Sequence, residues 1–131
     1  MAQREWLTVS RIGNAVVVRF LPDWQFHWYN LTAIHEVRGV LENLLQTTDA
    51  RAVVLNLASV HDFSAAGMGM LVRLHGQAKA RGIAFKLSNL EPQLKECLQL
   101  TRLDLLFAIE DDEAAALAAF ANADQGSPAV E

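Results

Sequence analysis

The amino-acid sequence predicts an α/β protein: a small mixed, mostly parallel sheet with an N-terminal β-hairpin and about four helices. Two observations carry that prediction. Short apolar runs at residues 15–20, 51–57 and 83–88 alternate with longer stretches whose apolar residues return every three or four positions. The stretches between these runs suit helical crossovers, so the strands after the hairpin pair mostly in parallel, through right-handed connections.

Each element has a local reason. "WLTV" at 6–9 and "AVVVRF" at 15–20 flank "SRIGN", where Gly13 and Asn14 form a hairpin turn signal. Asn30 is a good N-cap for an amphipathic helix with Ile34, Val37, Leu41, Leu44 and Leu45 on one face; Glu36, Arg38, Glu42 and Asn43 fall elsewhere. "RAVVLNL" at 51–57 is almost unbroken apolar residue, the pattern of a central strand covered on both faces. A helix from Gly67 to Arg81 follows, with Met68, Leu71, Leu74, His75 and Ala78 on one side and Arg73, Gln77 and Arg81 toward water; Gly82 is its C-terminal stop. "IAFKLS" at 83–88 reads as a strand, and Pro92 sits near a helix start, where its missing N–H costs nothing. "LLFAI" at 105–109 reads as a last short strand. "DDEAAALAAF" then places three acids at the N-terminus of a final helix, where the helix dipole favours them.

The chain has 131 residues, 52% of them apolar, enough for one core. Residues 1–121 are expected to form a single domain and residues 122–131, small and polar, a flexible tail. A net charge of −4 with no run of Lys or Arg offers no footprint for nucleic acid. Arg4 and Glu5 interrupt any leader-like apolar start, and no stretch approaches the roughly 18 apolar residues of a membrane span, so a cytoplasmic protein without direct membrane insertion is expected. Cys97 is the single cysteine, which excludes an internal disulfide and a multi-cysteine metal site. With Leu94, Leu98 and Leu100 nearby, it reads as a buried structural thiol.

Catalytic patterns do not assemble. His61 and Asp62 are adjacent, and neighbours on an extended segment point in opposite directions, so they read as solvated turn residues rather than an acid–base pair. Ser64 lies in "DFSAAGMG", which is not a nucleophile elbow, and "GMG" lacks both the strand context of a dinucleotide fingerprint and a Walker-type lysine. No metal-ligand spacing occurs, and no cofactor is expected. What remains is a helix N-terminus after a buried strand. Ser64 can cap its orphan amides, and Gly67 and Gly69 permit close approach from outside. A second feature is "PDWQFHWYN" before the first helix, where Trp24, Phe26, Trp28 and Tyr29 fall within six residues. Trp and Tyr are enriched at interfaces, so Trp24 and Trp28 are candidate contact residues, the alternative being that they close the core beneath the helix.

Two stretches within this element order resemble the STAS domain, the fold of sulfate-transporter domains and anti-sigma-factor antagonists. "AVVLNLASVHDFSAAGMGML" is similar to the family's apolar strand, short turn and Asp-Ser-Ser/Ala-Gly-Leu-Gly run opening a helix. "LQLTRLDLLFAIEDDEAAALAAF" is similar to its ending, where a Thr-Gly-Leu turn precedes the last strand and an acidic helix start. The likeness spans about residues 7–120. It implies a non-enzymatic regulatory module whose partner is a protein, of the anti-sigma factor or serine-kinase kind, docked on Asp62, Ser64, Ala65, Ala66, Gly67 and Met68; Trp24 and Trp28 join that surface on the strength of their residue type alone. The alternative it carries is a STAS-type accessory subunit of a transporter or lipid-export system.

In family antagonists the serine after the Asp is phosphorylated by the partner kinase. Laying Gly67, Met68 and Gly69 on the family's Gly-Leu-Gly puts Ser64 at the Asp position and Ala65 at the acceptor position. Ala65 has no hydroxyl, so the implied switch lacks its acceptor, and Ser64 is the substitute candidate. The family's Gly-Glu-Leu-Asp stretch is replaced here by the longer "LPDWQFHWYN".

Overall fold

The structure, a computed structural model, describes residues 7–20, 31–60 and 65–126. Strands β1 (Leu7–Ile12) and β2 (Ala15–Phe20) form the hairpin, followed by α1 (Leu31–Thr47), β3 (Ala52–Asn56), α2 (Ala65–Ala80), β4 (Ala84–Ser88), α3 (Pro92–Leu100), β5 (Ala108–Glu110) and α4 (Glu113–Gly126). The sheet order is β1-β2-β3-β4-β5, antiparallel between β1 and β2 and parallel thereafter. The mixed α/β architecture expected from the sequence is therefore present. Gly13, at φ 60°, supplies the left-handed backbone that opens a tight two-residue hairpin loop between Ile12 and its partner Ala15.

Because the strands lie in sequence order, right-handed crossovers carry α1, α2 and α3 to one face of the sheet. There Val16, Val18, Val53, Leu55, Phe85 and Leu87 of the strands pack against Ile34, Val37 and Leu41 of α1, Leu71 and Leu74 of α2, and Leu94 and Leu98 of α3. The intervening strand residues face the other way, since successive side chains alternate. On that second face Val17 and Val54 meet Ala116 and Leu117 of α4. Covering on both faces is why β2 and β3 are buried almost throughout.

The second face also carries an ion pair. Arg19 grips Glu113 through two hydrogen bonds, Nε to Oε2 at 2.7 Å and Nη2 to Oε1 at 2.8 Å, and donates a third from Nη1 to Ser10 Oγ at 3.2 Å. Asn56 Nδ2 donates to the same Glu113 Oε2. Glu113 opens α4, where the helix dipole favours a carboxylate.

Four expectations shift. First, α2 starts at Ala65 and ends at Ala80, one turn edge away from the expected 67–81. Second, the run at 105–109 is not the last strand. A 3-10 turn takes Leu103–Leu105, and only residues 108–110 reach the β4 ladder, with Phe107 folded into the core and Leu105 left 79% exposed. Third, α4 continues to Gly126, past the helix end expected near residue 120. Fourth, Cys97 is half-buried rather than buried, because Leu94 and Leu98 take the inward positions of α3 while Leu100 is 80% exposed.

Arg102 follows α3 with φ 62°, a left-handed backbone that a side chain adopts only at a cost. Glycine at this position should relieve that cost, so Arg102→Gly is expected to raise stability by about 0.5–1 kcal/mol in denaturant melts. A loss of stability instead would mean that the Arg102 side chain contributes more than its backbone costs.

The Arg19 guanidinium holds the Glu113 carboxyl below its ordinary value of 4.5; burial pushes the other way, and Asn56 adds to the lowering. A depressed carboxyl stabilises the fold fully above the unfolded value and stops doing so as pH falls through the folded value. Glu113→Gln should therefore cost about 1 kcal/mol near pH 7, a figure reduced for the partial exposure of Arg19. That deficit should shrink steadily below about pH 4.5. A deficit constant down to about pH 3 would show that shape, not charge, matters at this position.

Candidate functional site

The site is built where β3 ends. Asn56, the last β3 residue, turns the chain by accepting the Ala58 amide on Oδ1 at 2.9 Å. Leu57 donates its N–H to the Ser88 carbonyl at 2.9 Å, and Val60 donates to the Leu57 carbonyl at 2.9 Å. Leu57 and Val60 are fully buried, so the turn is pinned from below. The chain then re-enters the described region at Ala65, already helical.

Of the residues singled out in the sequence, Ala65, Ala66, Gly67 and Met68 together form the first turn of α2. Ala65 is exposed and Gly67 buried; Ala66 and Met68 are half-buried and pack against the main core. Met68 is thus partly a core residue as well as a surface one. Trp24, Trp28, Asp62 and Ser64 lie outside the described residues, as does His61. His75, expected on the inward side of α2, is half-buried, with its ring edge-on to Phe107 at 5.6 Å and Phe85 at 6.3 Å between centroids. That packing gives it a structural place.

Beside this first turn, residues of α1 and α2 line a cleft of about 240 Å³. Its apolar lining is Ile34 of α1 and Met70 of α2, while Ala66 and Gly69 keep one wall low. An added Cβ on Gly69 would meet nothing within 4 Å, so the helix backbone there is open to approach. His35, Arg38 and Arg73 supply the polar lining.

Below the cleft runs a polar seam between the two helices. Glu42 Oε2 accepts from Arg73 Nε at 2.6 Å and from Gln77 Nε2 at 2.9 Å, with Arg38 Nε 4.0 Å away. These bonds, Arg73 foremost, hold the Glu42 carboxyl below its ordinary value against the opposing effect of burial. Arg81 closes the seam by donating to the Gln46 carbonyl at 2.8 Å. Contacts advance in the same direction along both helices, as two consecutive parallel crossovers require.

Sequence reasoning placed Arg38 and Glu42 off the apolar face and Arg73 toward water, without joining them. The four-residue spacing of Arg38 and Glu42 was a signal for one pair; the Arg73 contact arises only from helix packing. Among the described residues there is no group of three or more His, Cys, Asp or Glu able to hold a metal ion. Nor is any helix among them long and apolar enough to cross a membrane.

Comparison with known proteins agrees with this geometry. The STAS domain family matches residues 30–116. Among solved structures, the chain is similar to an anti-sigma-factor antagonist (STAS) domain protein from Planctomyces limnophilus, with a TM-score of 0.76 at 24% identity, covering 88% of this chain and 97% of that one. RsbS from Moorella thermoacetica gives a TM-score of 0.76 at 15% identity, covering 91% and 97%. A sulfate transporter family protein from Wolinella succinogenes gives 0.66 at 18% identity, covering 83% and 86%. At such identities the structural likenesses speak to the fold alone; with the family match across most of the chain, they place this protein in the STAS domain family.

Proposed function

We propose that this protein is a non-enzymatic regulatory module that binds a protein partner, of the anti-sigma factor or serine-kinase kind, at the start of α2. The observation that supports the reading is the first turn of α2: Ala65 stands exposed beside half-buried Ala66 and Met68 and buried Gly67, all with small or flexible side chains. Small side chains at a helix start leave the backbone there approachable from outside. Asp62 and Ser64 precede this turn in the chain and belong to the proposed contact, as do Trp24 and Trp28 before α1. The name of one neighbour in structure points the same way, an anti-sigma-factor antagonist (STAS) domain protein.

Ala65 has no hydroxyl to phosphorylate. A phosphoryl group added there would bring a charge of about −1.5 to −2, which a helix N-terminus stabilises and a docked acidic or apolar surface does not. In this reading the protein is competent to bind without that switch, or is controlled elsewhere, with Ser64 as the substitute acceptor.

A photo-crosslinking residue at position 65 in the source cell should trap one protein, and Ala66→Glu should abolish the adduct while the melting curve stays near wild type. Equal trapping from Ala118 on the outer side of α4, or equal loss of stability and adduct, would overturn the docking surface. A trapped transporter subunit would favour the accessory-subunit alternative.

Incubated with an anti-sigma-factor serine kinase of this family and ATP, the wild-type chain should take no phosphate and Ala65→Ser should take one, mapped by mass spectrometry to residue 65. Stoichiometric phosphate on Ser64 of the wild type would contradict switch-free binding.

A further inference from the structure

We infer that the cleft between α1 and α2 receives an acidic side chain of the protein partner, with Arg38 and Arg73 as its ligands; this rests on the docking reading above and extends it. Two features of the cleft are not explained by the fold's own needs. Arg38 Nε is sealed from solvent and has no hydrogen-bond partner, although its side chain as a whole is 35% exposed. Glu42, 4.0 Å from that Nε, does not hydrogen-bond it, and the exposed part of the Arg38 side chain is where an outside carboxylate can meet its charge. Two guanidinium groups, with exposed His35 also lining the cleft, face a single carboxylate, Glu42, so the pocket keeps an excess of donors and positive charge in a chain whose net charge is −4.

The shape selects the occupant. Ile34 and Met70 give the cleft apolar walls suited to the methylene groups of a glutamate, while the guanidinium groups suit its carboxylate. Open space over Gly69 lets the partner's main chain come close. Ala66 belongs both to this lining and to the first turn of α2, so one docked surface covers the helix start and sends an acidic residue into the cleft. Free phosphate would use the cations and leave the apolar walls uncovered.

Glu42 already plays the part of such a ligand from within the chain. Its Oε2 holds Arg73 Nε at 2.6 Å, so an incoming carboxylate competes with it for the same guanidinium. Removing that charge should favour the incoming group.

The test uses a blocked Gly-Glu-Glu-Glu-Gly peptide and its all-glutamine analogue, followed by NMR of the full chain. The acidic peptide should shift the Nε–H signals of Arg38 and Arg73 and the Gly69 amide in a saturable way, with a dissociation constant of about 1 mM, and the glutamine peptide should not. Arg38→Gln should weaken binding about tenfold and Glu42→Gln should tighten it about threefold, opposite effects that a general loss of structure cannot produce.

Equal shifts from the glutamine peptide, no shift at these three groups, or an affinity indifferent to Arg38→Gln would overturn the inference. Inorganic phosphate acting on the same signals at lower concentration than the peptide would also overturn it, marking a small-anion site instead. A position-65 crosslink that is lost in Ala66→Glu yet unchanged in Arg38→Gln and Arg73→Gln would leave the docking surface standing and remove the acidic ligand from it.

Discussion

The node formed by Glu113, Arg19 and Asn56 fixes the start of α4 against the ends of the paired strands β2 and β3. Glu113 starts α4, Arg19 lies near the end of β2, and Asn56 is the last residue of β3. Apolar packing on this face of the sheet is thin, resting on Val17, Val54, Ala116 and Leu117. Hydrophobic contact of that size is non-directional and does not by itself choose where α4 begins. A bidentate arginine–carboxylate contact does choose, because its geometry is planar and specific. Through Asn56 the same node reaches the other end of the molecule's logic: the amide that donates to Glu113 belongs to the side chain whose oxygen turns residues 57–60 toward α2.

The two faces of the sheet therefore divide the work. One holds the main core, with α1 and α2 side by side because consecutive parallel crossovers leave them nowhere else to go. Their seam is polar where it nears the surface, and Glu42 spans it. The candidate docking turn and the charged cleft both arise at the same ends of these two helices, so the layout that buries the core also sets the small first turn of α2 next to Arg38 and Arg73. The second face, clamped at Glu113, leaves α4 away from that surface.

Much of the fold was legible because it depends on periodicity. Residues 15–20 read as a hairpin strand and 51–57 as a strand covered on both faces, and Ile34, Val37, Leu41 and Leu45 recur as a buried helical stripe requires. Residues 105–109 were misleading for a definite reason: an apolar run of that length does not say which of its residues reach a neighbouring strand. Leu103–Leu105 is instead a 3-10 turn, following left-handed Arg102. The first turn of α2 was singled out as a candidate site from its small residues, while its start at Ala65 rather than Gly67 is not set by apolar spacing.

By itself the sequence determined the element order, the mixed, mostly parallel sheet and the main core residues, since each follows from local pattern and chain connectivity. Tertiary structure alone decided that Arg19 meets Glu113, 94 positions away, and that Arg73 meets Glu42, 31 positions away. Charged residues on exposed helix faces obey no periodic rule that names their partners. Which ones meet depends on how far one helix slides along another, and that is set by the packing of the apolar side chains beneath them.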